Sequence, residues 1–525
     1  MRRILSERLC GSRIRTWRCC RPSCEAKGPT WFTDRGGRRM RRKPGIGHLG
    51  AWLFALFLAL PSAASAQDAL SGSLLRQLEA NRQRYGIAGQ ALLVAHNGRV
   101  VFSGVDGEAD VKAHERLTAD HVFSGYSLSK LFVSTLVMQL VEQGEVDLDA
   151  PANAYLPGLP ALWRAIPVRD FLDHTSGVPE YFDNPPDGAV SPDAAFPADL
   201  QALFASLADA PLQFAPGTDT RYTQTNYIVL AALLARHYGQ PYPQVVEARI
   251  VRKLGLRHTW LGLDGLPRQG VVTGYIGKDG RLAEDRAVAW PAYAYGHAGL
   301  YLTMGDLSRF LQAVSSGELV GKATLCKLWQ PRNLAGGRRG WFAAGWEYGE
   351  SGTYRMVGHD GGARVRIRIV FDDALDGDVY TFAYLTNGSA KNVWSRSLVD
   401  SAMAVVAPDK FPMQALSDAL TGYALQATPK GDLRAQAKAI RARSALDDAE
   451  AERAINATGY AIRENLGVDP ALRVFELNTV LFPGSANTWD SLAEAYAAKG
   501  DTEKSKSLYD RARRLKASQE ASSAD

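Results

Sequence analysis

Two short runs, 90–96 and 99–105, carry apolar residues at strand-like spacing and are joined by Asn97-Gly98, which predicts a β-hairpin. Ahead of them, residues 70–84 repeat apolar positions at helical spacing and predict an amphipathic helix. The strand signal returns only at 354–357, 365–371 and 379–385, with Asp376-Gly377 marking the turn between the last two, and 393–406 reads as a closing helix. Between residue 127 and about residue 310 the pattern is mostly helical and loop-rich. The first and last parts are therefore expected to share one antiparallel sheet. The expected fold class is α+β, an antiparallel sheet flanked by helices with a large helical insertion. Over 364–369, Arg364, Arg366 and Arg368 alternate with Val365, Ile367 and Ile369, which predicts a half-buried strand whose charged face is mostly solvated.

After Pro408 the composition shifts to Ala, Arg, Asp and Glu at helical spacing, and a 34-residue self-similarity emerges near the end. Trp489, Leu492, Tyr496, Tyr509 and Ala512 fall on the key offsets of a tetratricopeptide repeat, which this segment resembles, with Ser505 where alanine is usual. One period earlier Gly459 aligns with Ala493, Ala471 with Ser505 and Phe475 with Tyr509, and Pro483 holds the terminal proline position. Two copies are fewer than a free-standing array needs, so the unit is expected to dock on its neighbour.

Charge changes the picture at the front. Of 525 residues, the first 66 hold 14 Lys+Arg against 3 Asp+Glu, whereas the remainder holds 47 against 52, so the apparent basicity belongs to the leader and gives no sign of a nucleic-acid surface. Arg41-Arg42-Lys43, an apolar run over 49–60 and Ala64-Ser65-Ala66 form a secretory signal peptide over 40–66, and the run is too short to span a bilayer. Residues 1–39 read as an over-extended translation start. Four of the five cysteines lie there, leaving Cys326 alone in the mature chain, and no His-Glu-x-x-His or paired zinc spacing supports a metal site; no cofactor is implied.

The sharpest chemistry is Ser127-Leu128-Ser129-Lys130 at the start of an apolar helix ending at Gly144. Residues three apart on a helix are neighbours, so Lys130 can take the Ser127 proton, and the helix start favours the anion formed when Ser127 attacks a carbonyl. A plain reading is a Ser N-cap with a solvated Lys. A competing one is Gly125-Tyr126-Ser127-Leu128-Ser129 as a nucleophile elbow, which would need a strongly apolar strand before it, where 117–124 is mixed.

Residues 123–130, with 140–149, Tyr155-Leu156-Pro157, His174-Thr175-Ser176-Gly177 and Pro216-Gly217, resemble the serine β-lactamase and penicillin-binding-protein-like family, in the branch of class C β-lactamases, D-alanyl-D-alanine peptidases and related esterases. The resemblance implies a second motif, Tyr-x-Asn, at Tyr222-Thr223-Gln224, with Tyr222 as proton carrier toward Ser127 and Gln224 departing from Asn on an arm one methylene longer. It implies a third at His359-Asp360-Gly361, with the Gly362 and Ser127 amides as oxyanion hole and His359 lining the pocket. Arg364 or Arg366 is a candidate reader of a substrate carboxylate, and the family's Gly-Phe pair in this neighbourhood is missing.

The expected organisation is 1–39 start region, 40–66 signal peptide, 67–408 serine hydrolase domain, 409–445 helical linker, 446–519 repeats and 520–525 tail. The expected function is an exported, periplasmic or secreted, serine hydrolase without transmembrane anchor in the mature chain. Its small-molecule substrates rank lipophilic ester, D-amino-acid peptide, then β-lactam, and the repeats offer a surface for a protein partner. The alternative is a catalytically weak sensor of cell-wall fragments or β-lactams that recruits a partner through those repeats.

Overall fold

The computed structural model describes residues 63–182, 191, 193–267, 269–426 and 432–522. The expected start region and most of the expected signal peptide lie outside the described residues; residues 63–66, the end of that expected segment, open the first helix, Ala63–Tyr85. Among the described residues no helix is long and apolar enough to cross a membrane.

In chain order the strands are β1 (Gly89–His96), β2 (Arg99–Asp110), β3 (Glu115–Arg116), β4 (Val122–Tyr126), β5 (Thr259–Leu261), β6 (Tyr275–Lys278), β7 (Arg281–Glu284), β8 (Leu300–Thr303), β9 (Phe342–Ala343), β10 (Trp346–Ser351), β11 (Tyr354–Gly361), β12 (Val365–Phe371) and β13 (Val379–Thr386). One 8-stranded sheet runs β3-β2-β1-β13-β12-β11-β10-β9. As the spacing predicts, the first hairpin joins the last strands: β1 lies antiparallel to β13 from Gln90↔Thr386 to His96↔Tyr380. Asn97 and Gly98 adopt φ of 49° and 75°, the pair of left-handed residues that a right-twisted two-residue hairpin requires.

The sheet's two faces are packed differently. Ala91, Leu93, Val357, Ile367 and Ile369 belong to one core with the buried helix Ser129–Glu142, and the helix Met304–Ser315 packs on β1 and β13. Leu92, Val94, Val370 and Phe382 face Leu74 and Leu78 of the first helix and Leu398, Ala402 and Met403 of the closing helix Ser395–Val406.

One expectation is refined and one corrected. The stretch between 127 and 310 is mostly helix and loop, as expected, but it also holds four short strands, of which β8 pairs with both β4 and β5 in a second, 3-stranded sheet; runs of three to four residues are too short for alternation to register. The charged face of β12 is not solvated: the Arg366 and Arg368 side chains are only 7% and 6% exposed. Acids from neighbouring strands, Asp360 and Glu347, neutralise them, and Asp400 of the closing helix adds to their field.

Among the described residues beyond Pro408 are six helices, Pro412–Ala424, Leu433–Arg441, Asp448–Leu466, Val468–Leu481, Ala486–Lys499 and Thr502–Ser522, around their own core of Leu420, Ile455, Phe475 and Leu492. A Cβ at Gly459 would stand 2.5 Å from Phe475 Cε1, so glycine sets how closely the third and fourth of these helices cross. This layer rests on the sheet's outer helices through the Arg84–Asp418 ion pair of 2.7 Å and the Trp394 N–H donated to Asn465 Oδ1.

Candidate active site

Strand β4 ends in Tyr126, whose φ of 45° is rare for a residue with a large side chain. The chain then turns tightly: Lys130 N–H bonds to Ser127 O at 3.0 Å and Leu131 N–H to Leu128 O at 3.0 Å, with the regular helix starting at Ser129. In such a three-residue turn, positions i and i+3 are nearly eclipsed. Lys130 Nζ accordingly lies 3.1 Å from Ser127 Oγ. The elbow parse fails on this backbone, since β4 is antiparallel to β8 and Ser129 Oγ is spent on Tyr126 O.

Lys130 is fully buried. Besides Ser127 it meets Gln224 Oε1 at 2.6 Å and the His297 carbonyl at 3.0 Å, both neutral acceptors. In the structure Nζ donates to Ser127 Oγ; once the amine gives up a proton it keeps two hydrogens for the two neutral acceptors and a lone pair that can receive the Ser127 proton. Burial drives the Lys130 pKa well below the usual lysine value, and the charges of Glu180 and Glu347 only partly oppose it.

Tyr222 OH donates to Ser127 Oγ at 2.8 Å, and its ring lies 4.9 Å from Lys130 Nζ. Burial pushes this phenol above its ordinary value of 10, so it stands as a neutral donor and not as a phenolate. Its loop is braced from below. Neutral His174, its pKa lowered by burial, accepts the Thr223 N–H at 3.3 Å, contacts Asn226 Nδ2 at 3.0 Å and lies 4.5 Å ring to ring from Tyr222. Glu180 Oε2 accepts the Gln224 N–H at 2.9 Å, placing a carboxylate at the N-terminus of helix Thr225–Tyr238, where the helix dipole favours it.

The third motif comes from the other side. Gly361 ends β11 against Gly125: a Cβ there would stand 2.7 Å from Gly125 O, and one on Gly362 would stand 2.9 Å from Tyr126 Cδ1. Gly362 and Ala363, with φ of 53° and 56°, form the turn into β12, closed by Arg364 N–H to Gly361 O at 2.9 Å. His359 is buried, its ring 5.9 Å from that of Tyr222, with Nδ1 2.6 Å from its neighbour's carbonyl, Asp360 O. Arg364 is held by Tyr126 OH and Asp285, and Arg366 by Asp360, so neither is free for a substrate carboxylate.

Ser127, Lys130, Tyr222 and Gln224 thus share direct contacts, with His359 beside them and the Gly361-Gly362 backbone against Gly125 and Tyr126, just before Ser127. Sequence reasoning missed His297, Glu180 and Glu347. His297 contributes a carbonyl that any residue carries; Gly296 and Gly299 on either side were its only trace, and a Cβ at Gly296 would stand 2.4 Å from Tyr227 O. Among the described residues no His, Cys, Asp and Glu cluster is arranged to hold a metal ion.

Comparison with known proteins fits this geometry. The family described as Beta-lactamase matches residues 75–401. Esterase EstB of Burkholderia gladioli is 29% identical over 292 residues, covering 50% of this chain and 72% of its own length. A D-aminopeptidase of Brucella ovis is 27% identical over 289 residues, covering 54% of this chain and 53% of its own length, so the chain spans about half of that relative. In fold, the chain matches the octameric penicillin-binding protein homologue from Pyrococcus abyssi at TM-score 0.55 and 21% identity, over 67% of this chain and 81% of the other.

Proposed function

The chain belongs to the beta-lactamase family, and from that premise we propose that it is an exported serine hydrolase that opens ester or amide bonds through an acyl-enzyme on Ser127. The observation that carries the reading is Ser127 Oγ held between Lys130 Nζ at 3.1 Å and Tyr222 OH at 2.8 Å, with the amine's other partners uncharged.

The chemistry follows from those contacts. Neutral Lys130 takes the Ser127 proton as Oγ attacks the carbonyl, and the Ser127 and Gly362 amides hold the resulting oxyanion. Tyr222 passes its proton to the leaving group and is refilled from the Lys130 ammonium. Water then attacks the acyl-enzyme along the same path in reverse, so Lys130 and Ser127 end as they began. His359 and Gln224 line the pocket, Gln224 through the same amide that orients Lys130.

The substrate order is lipophilic ester, then D-amino-acid peptide, then β-lactam. Favouring the first, the rings of Tyr181, Phe182, Phe196 and Trp290 cluster beside the site: Tyr181 OH lies 2.8 Å from His297 Nε2, and Trp290 stacks edge-on to His297 at 4.9 Å. The esterase relative points the same way, and the D-aminopeptidase relative supports the second class. The commitment of Arg364 and Arg366 to acids and Tyr126 argues against carboxylate-bearing β-lactams. In this proposal residues 40–66 direct export and are removed, residues 67–408 form the hydrolase, and 446–519 serve as tetratricopeptide-like repeats after the 409–445 linker.

Treating the full chain with a fluorophosphonate and mapping the adduct tests the reading. Modification of Ser127, followed by turnover ranking chromogenic esters above D-alanyl amides and cephalosporins, is the expected result. A folded protein that leaves Ser127 unlabelled would instead be a binding protein.

A further inference from the structure

We propose that Glu347, held by Arg368, is a positioning residue that latches the third motif and sets the field felt by Lys130. The inference rests on the Ser127 reading.

Strands β10 and β11 pair as far as Glu347↔Gly358 and no further. The next backbone donor that the ladder would serve, Asp360 N–H, is taken by the Glu347 side chain, 3.1 Å from Oε1. One carboxylate thus continues the sheet past the end of its strand, at the point where the third motif enters the site. The same oxygen lies 3.7 Å from His359 Nδ1. The other oxygen, Oε2, is bonded by Arg368 of β12, a residue only 6% exposed that also lies 3.0 Å from Asp360 Oδ1. Gly358 makes room for this arrangement: a Cβ there would stand 2.8 Å from Arg368 Nη1 and 1.9 Å from Ile367 O. Glycine at 358, arginine at 368 and glutamate at 347 are three requirements of one device.

The device also has an electrostatic reach. Glu347 is one of two carboxylates whose charge raises the pKa of buried Lys130, the other being Glu180 on the loop opposite. It acts in the same direction on His359 and Tyr222. Around the pair, Asp360 and Arg366 face it from β11 and β12, and Asp400 and Arg396 of the closing helix complete the field on that side. His174 and His297, both held neutral by burial, face Lys130 from the remaining sides.

The test uses the rate of fluorophosphonate labelling of Ser127 in the full chain as a function of pH, which needs no knowledge of the natural substrate. The acid limb of that profile reports the loss of the Lys130 proton. Removing an anion lowers the pKa of a nearby amine and removing a cation raises it. Glu347→Gln should therefore move the limb to lower pH by about half a unit or more, Glu347→Asp should bring it back toward the wild-type position, and Arg368→Gln should move it to higher pH. If Glu347→Gln does not fold, the sign seen with Arg368→Gln decides. Slower labelling with an unmoved limb in these variants would reduce the pair to a mechanical brace and overturn the proposal while leaving the Ser127 reading intact. Failure of the wild-type chain to label would remove the Ser127 reading itself.

Discussion

Lys130 and Arg368 are both buried cationic side chains, on opposite flanks of the same site, and their surroundings differ in one respect. The three hydrogen-bond partners of Lys130 are a hydroxyl, an amide oxygen and a backbone carbonyl, all neutral. The partners of Arg368 include two carboxylates, Glu347 and Asp360. Burial with no carboxylate in contact makes the ammonium expensive, and Lys130 yields by dropping its pKa well below the ordinary range, the more distant Glu180 and Glu347 opposing only in part. Burial also pushes Arg368 down, but Asp360 and Glu347 outweigh it and its pKa rises. In the proposed mechanism one arrangement makes a base, and the other makes a fixed strut. A buried cation does chemistry where the fold withholds its partner and builds structure where the fold supplies one.

The strongest way to break this contrast is Lys130→Arg. Arginine cannot give up its proton at working pH, so labelling and turnover should fall by about 10³-fold or more. A loss of less than tenfold in kcat/KM would mean that Lys130 is not the base. On the other flank Arg366→Met should act on stability. It removes one of the two arginines facing Asp360, whose side chain is 30% exposed and keeps Arg368 at 3.0 Å, so the cost should stay below the roughly 3 kcal/mol of a fully unpaired buried acid, at about 1 kcal/mol. Urea unfolding measures the cost, and Arg366→Met with Asp360→Asn should recover part of it. No loss in the single variant would show that Arg368 alone suffices.

The same contrast explains what the sequence let through. Alternation at 90–105 and 365–385, with Asn97-Gly98 and Asp376-Gly377, was enough to join the first hairpin to the last strands. Local signals suffice when one face is apolar and the turn chemistry is specific. Alternation also found the two faces of β12, yet it could not say that the charged one is covered, because Glu347, Asp360 and Asp400 come from separate elements and meet the arginines only after folding. The site divides likewise. Ser127, Lys130, Tyr222 and His359 sit in short motifs with fixed spacing, whereas Glu347 works by extending a sheet ladder and His297 by a backbone oxygen, and neither role leaves a residue-type signature.

A smaller change converts one environment into the other. Gln224→Glu places a carboxylate where the amide oxygen now stands 2.6 Å from Lys130 Nζ. The ammonium is then stabilised, its pKa rises, and the acid limb of Ser127 labelling should move up by about one unit, a roughly tenfold loss at any pH on that limb. Gln224→Asn keeps the neutral partner and should leave that limb in place. If both variants behave alike, the reach of the side chain and not its charge controls the site.

Asp173 supplies the intermediate case and the smallest expected effect. This buried carboxylate accepts the Gly345 N–H at 3.2 Å, but Arg332 stands 3.9 Å away with its Nη2 committed to Asp170 and Thr175. Burial outweighs that distant charge and pushes the acid up to about 7. Because its folded pKa lies above the unfolded value of 3.8, the protonated form is favoured by folding. Its contribution to stability is complete below pH 3.8 and is lost as pH rises through 7, amounting to about 1 kcal/mol between pH 6 and pH 8. Denaturant unfolding at those two pH values should show that decline, and Asp173→Asn, which keeps an acceptor for Gly345 without the charge, should flatten it. An equal decline in the variant would mean that Arg332 holds Asp173 ionised after all, and the partly partnered acid would then belong with Arg368 rather than between the two extremes.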